Sequence, residues 1–203
     1  MRKVIVNRDL QVLDNMRPED LAQPLYDRGH LATTVPSTLS LFSIPIGQSA
    51  TLIRQSTAAA VTKTRRDTNM EQAGFIATRA YQINGLAIAI VHLTREAATN
   101  AIDREYIRDG GWLRFTVAAK TILEIPLLQI PLMNDQVAAS TTATNTTINA
   151  YAGPKASMWR FNPAVTMKAT TNFNVELSFD GTITLNNEAD IQLFMFAGMR
   201  RPT

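Results

Sequence analysis

Phe173-Asn174-Val175-Glu176-Leu177-Ser178-Phe179 is the stretch that decides the fold. Apolar residues stand at 173, 175, 177 and 179, and polar ones at 174, 176 and 178. A strand sends successive side chains to opposite faces, so a period of two marks a strand with one buried face. Asp180-Gly181 follows, and Ile183 and Leu185 resume the alternation. Asp-Gly between two alternating runs predicts a hairpin whose two central residues take positive φ.

Further strands appear on either side. Residues 190–199 set Ile191, Leu193 and Met195 against Phe194 and Phe196. A strand at 156–161 carries Met158, Trp159 and Phe161. Residues 112–118 place Leu113, Phe115 and Val117 opposite Trp112, Arg114 and Thr116. Ile122 to Leu132 is extended but broken by Pro126 and Pro131, which suits an edge strand. In 75–93, Tyr81 and Ile83 alternate, and then Leu86, Ile88 and Ile90 alternate on the other parity. One extra residue is needed between them, and Asn84-Gly85 is the natural place for a bulge. Ala87, Ala89, Val91 and Leu93 make the opposite face apolar too, so this strand is covered on both sides.

Residues 35–54 read as two short strands around the Pro45–Gly47 turn, and 55–74 as a long polar connection. Residues 94–109 are the helix, capped by Thr94 and ended by Gly110-Gly111. The Thr/Ala/Asn run at 138–149 reads as an exposed loop. Together these give an all-β, two-sheet antiparallel sandwich of jelly-roll type, with about 8–10 strands and one short helix near 94–109. Residues 35–203 form a single domain. Residues 1–34 are an N-terminal arm, with a short strand at Val4 and Val6 and a helical turn between Arg17 and Asp27.

The 203 residues carry 18% charged side chains and a net charge of +3. About 25% is usual, so much of the surface is expected to be covered, by neighbouring subunits among other things. Residues 1–30 balance basic against acidic side chains, so there is no basic arm of the kind that releases counterions from a genome. Lys63, Arg65 and Arg66 are the densest basic group and read as a solvated loop. The absence of cysteine excludes disulfides, zinc–thiolate sites and cysteine nucleophiles. No run of about 18 apolar residues reads as a membrane helix, and the start is not patterned as a signal peptide.

Chemistry-bearing motifs are sparse. His30 and His92 do not form an HxH or HExxH pattern, and no phosphate loop or nucleophile elbow is present. His92 follows the parity of Leu86, Ile88 and Ile90 and reads as a core or sheet-end histidine. The carboxylate pairs Asp103/Glu105 and Glu176/Asp190 read as structural, the second as solvent-facing strand positions. Trp112, Trp159 and Tyr81 suit either a sugar-binding platform or a sandwich core, and the core is the commoner arrangement. We therefore expect no catalytic residues, no metal site, no cofactor and no small-molecule substrate.

Three stretches carry a family resemblance. They are Thr68 to Gly74 with the strand Tyr81 to Ile88, then Gly110 to Phe115 leading into Ile125 to Pro131, and finally Phe173 to Phe179, Ile191 to Met195 and Gly198 to Pro202. Over residues 65–203 the chain resembles the jelly-roll major capsid proteins of tailless icosahedral bacteriophages. The resemblance implies a structural virion protein without enzymatic activity, assembled in the host cytoplasm into a capsid. Its partners would be copies of itself, with a second coat or vertex protein and weak contact with packaged nucleic acid or an internal membrane as further options. Many members carry two rolls in a longer chain, whereas this length holds one, so capsomer symmetry stays open. Candidate inter-subunit or genome-facing residues are Arg65, Arg66, Arg200 and Arg201. The alternative reading is a carbohydrate- or receptor-binding sandwich on a phage or cell surface.

Overall fold

The computed structural model describes residues 21–22, 24–55, 57–76, 80–94, 97, 99–133, 136–141, 146–151 and 158–200. The strands are β1 (Leu21–Ala22), β2 (Leu25–Leu31), β3 (Thr38–Leu41), β4 (Ser49–Arg54), β5 (Thr57–Thr62), β6 (Phe75–Ile76) and β7 (Ala80–His92). After helix α1 (Asn100–Asp109) come β8 (Gly111–Val117), β9 (Lys120–Pro126), β10 (Gln136–Thr141), β11 (Thr146–Tyr151), β12 (Trp159–Met167), β13 (Thr171–Phe179) and β14 (Ala189–Arg200).

Eight of these strands build two antiparallel sheets, β2-β14-β7-β12 and β3-β13-β8-β9. Between them every connection crosses from one sheet to the other except the β8–β9 hairpin. That is the connectivity of a jelly roll. β1 extends the first sheet beside β14, and β6 pairs the start of β13. Hairpins β4–β5 and β10–β11 are additions within crossovers.

The alternating strands behave as their residues dictate. Phe173, Val175, Leu177 and Phe179 of β13 and Leu113, Phe115 and Val117 of β8 point inward. They meet Leu86, Ile88, Ile90, Ile191, Leu193 and Met195 of the other sheet in one continuous core. In β7 the bulge falls at Asn84: Phe196 pairs Gly85 and Ala197 pairs Ile83, which skips one residue. Gly85 is needed there because a Cβ would stand 2.6 Å from both Met158 Sδ and the Trp159 carbonyl oxygen. β9 lies at the edge of its sheet, as expected, but stops at Pro126; residues 127–129 form a 3-10 turn.

Five further expectations are corrected. The helix begins at Asn100, and Thr94 instead receives a bond from the Asn100 side chain at its carbonyl (2.6 Å). Asp180-Gly181 is not a hairpin turn. Only Gly181 has positive φ (+67°), and the chain then crosses to the other sheet. Ile183 and Leu185 bond the backbone of Val35 and Thr33, not β13. The 138–149 run, read as a loop, contains parts of the β10–β11 hairpin. The sandwich also begins before residue 35, since Leu25–Leu31 is a full strand paired along β14. The helical turn placed between Arg17 and Asp27 gives way to strand over Leu25–Asp27; Val4 and Val6 lie outside the described residues.

Candidate interaction surfaces

The two sheets expose different outer faces. On β3-β13-β8-β9 the outward positions are mostly polar. Arg114 pairs across the strands with Glu124 (3.1 Å) and stands opposite Glu176, all open to solvent or half-buried. Trp112 sits on this same outward parity, between Ser178 and Pro126.

On β2-β14-β7-β12 the outer face is partly roofed by the β4–β5 excursion, and a charge cluster fastens it. Asp190 is fully buried. Its Oδ2 accepts from Arg28 Nε (2.6 Å) and Ile53 N (2.9 Å), and its Oδ1 lies 2.9 Å from His30 Nδ1. Arg28 also donates to the Ile53 carbonyl (3.3 Å). A second pair closes the sandwich edge from inside: Lys63 Nζ donates to Asp27 Oδ1 (2.7 Å), and Phe42 N donates to Asp27 Oδ2 (2.6 Å). Burial pushes the Asp27 carboxyl above its ordinary range, and Lys63 only partly offsets it. Asp67 is also buried, which favours its neutral form, but bonds from Arg54 and the Thr64 N–H outweigh this and lower its pKa.

Helix α1 is fixed by a fourth buried carboxylate. Asp103 accepts from Asn186 N (2.8 Å), Asn186 Nδ2 (2.8 Å) and Asn187 N (3.0 Å). His92 is buried nearby and its two ring nitrogens have no hydrogen-bond partner. Burial, reinforced by the charge of Arg104 and partly opposed by Asp103, lowers its pKa to about 4.

The sequence reading treated Lys63 as solvated and Asp190 and Asp103 as parts of structural carboxylate pairs, Asp190 as solvent-facing. Lys63, Asp190 and Asp103 are all buried and bonded. No local signal marks them, because the partners lie 36 to 162 residues away. The fold brings both histidines to one end of β14 but on opposite faces, with His92 opposite Ala189 and His30 opposite Asp190. Among the described residues no three His, Asp or Glu side chains gather to hold a metal. The oxygens of Asp190 are already engaged.

Arg65 and Arg66 are exposed on the turn after β5, where Tyr26 Oη donates to the Arg65 carbonyl. Arg200 ends β14 opposite Ala80, which places its backbone at the same end of the sandwich as that turn. Arg201 lies outside the described residues. Tyr81 and Trp159 pack against the core and Trp112 lies on the outside of the other sheet, so these aromatics do not converge into a platform. Among the described residues three large apolar side chains are open to solvent: Ile102 (47%) and Tyr106 (52%), one turn apart on α1, and Leu128 (48%) on the following 3-10 turn. Arg108 donates to the Leu128 carbonyl (2.9 Å). Among the described residues no helix is long and apolar enough to cross a membrane. Comparisons with protein-family models, with curated proteins and with solved structures returned no match, so the resemblance rests on the quoted stretches alone.

Proposed function

We propose that the chain is a structural virion protein, a self-assembling jelly-roll subunit of an icosahedral phage shell, with no catalytic role. The observation that carries this reading is the strand connectivity, a single jelly roll in which the β3–β7 and β7–β8 crossovers are fastened to the body by buried polar contacts. One fold hosts many functions, so connectivity alone is an argument by analogy. Two surface features add weight. The chain is lightly charged, and it leaves apolar side chains open at one end of the sandwich. Obligate assemblies need lateral surfaces of that character. Asp27, Asp103 and Asp190 are engaged at both oxygens by groups within the fold, which suits rigidity more than proton transfer.

The test is size. Purified chain at high concentration should sediment as large species and show shells or capsomers by electron microscopy. A monodisperse monomer across the accessible concentration range counts against the proposal, and glycan binding by that monomer would favour a recognition module.

A further inference from the structure

The ends of the sandwich carry opposite charge. One end collects the 63–74 segment and the turns at 118–119 and 168–170. There Arg65, Arg66, Lys120 and Lys168 are exposed, and among the described residues Glu71 is the exposed carboxylate set against them. The other end holds α1, the 3-10 turn and the 180–188 crossing. There Glu105, Asp109 and Asp180 are exposed, while the half-buried Arg108 is occupied by the Leu128 carbonyl and lies 4.0 Å from Glu105. The apolar trio Ile102, Tyr106 and Leu128 lies at this acidic end.

The basic end has an apolar point of its own. The β8–β9 turn is Ala118-Ala119, exposed, with both residues at positive φ (48° and 65°). Such turns ordinarily take Asn-Gly, because a Cβ is strained there. Alanine accepts that strain and leaves a small apolar tip beside Lys120. Strain held at an exposed position is a reason to look for function there. The seven residues of β8 separate tip from helix by roughly 20 Å at about 3.3 Å per residue. The complementary ends therefore cannot satisfy each other within one molecule.

We infer that copies associate head to tail, with the acidic α1 end of one seated on the alanine-tipped basic end of the next. This rests on the self-association proposed above and adds its polarity. A contact between two different patches is heterologous and propagates into rings or open files.

Charge reversal tests it on the full chain. One variant carries Glu105→Lys and Asp109→Lys, and the other carries Lys120→Glu and Lys168→Glu. Each alone should associate at least roughly tenfold more weakly than wild type, and an equimolar mixture should recover assembly. Sedimentation velocity reads the result and circular dichroism confirms the fold. The Ala118→Asn/Ala119→Gly chain should melt higher yet associate less. Unchanged association of both reversed chains, or no recovery on mixing, overturns the inference while leaving self-assembly intact. A wild type that never associates removes the function proposal with it. If a reversed chain does not fold, the salt dependence of the wild type decides: weakening with added salt supports the contact, and indifference to salt overturns it.

Discussion

The outer faces of the two sheets are built from the same kind of backbone and do opposite things with charge. On β3-β13-β8-β9 the ionic residues face water, and Arg114 and Glu124 form a pair exposed on both sides. On β2-β14-β7-β12 those beneath the β4–β5 excursion are roofed over, and Asp190 is buried against Arg28, His30 and Ile53 N. The difference teaches that an ion pair matters here according to its cover, not its count. In water the two partners gain little by meeting. Under a roof, removing one leaves the other stranded without solvent.

The contrast predicts an order of effects. Asp190→Ala leaves Arg28 buried without its counter-charge and frees Ile53 N, and should cost about 3–5 kcal/mol in denaturant unfolding. A loss near zero would mean that the roof is open in solution. Next comes acid. His92 is held neutral with a pKa of about 4 against 6.5 when unfolded. Its contribution is complete above pH 6.5 and is lost as pH falls from there to about 4, because the unfolded chain takes up the proton first. The loss is on the order of 3 kcal/mol by the free energy per pKa unit. His92→Leu should flatten that part of the stability–pH curve, and an unaltered slope would assign it to other groups. On the open sheet, Ala118→Asn with Ala119→Gly should stabilise by about 1–2 kcal/mol, read as a higher unfolding midpoint. Last, Arg114→Ala should leave that midpoint unchanged; a clear drop would show that this face is covered as well.

The same contrast explains what could be read in the residues. The β13 and β8 alternations and the bulge at Asn84 were legible because each is written in neighbouring positions. So was the double-sided burial of β7, from its continuous apolar run. The crossing at Asp180-Gly181 was not. Its local pattern is that of a hairpin, and it is the pairing with Thr33 and Val35 in the β2–β3 connection that takes the chain away. The helix start was misplaced because Thr94 resembles a cap, while the contacts that fix α1 come from Asn186 and Asn187. Of the candidate arginines, exposure of Arg65 and Arg66 followed from their setting. The burial of Lys63, two positions earlier, depends on Asp27 across the fold.

β14 lies between β2 and β7, so the last of the described strands along the chain is a central member of its sheet. Until it is made, β2 has no long partner in that layer, β7 has only β12, and Arg28 waits for a carboxylate 162 residues downstream. Pairings that distant make folding slow. A polypeptide cut short before β14 cannot close this layer, and is left with bare strand margins open to pairing with other chains.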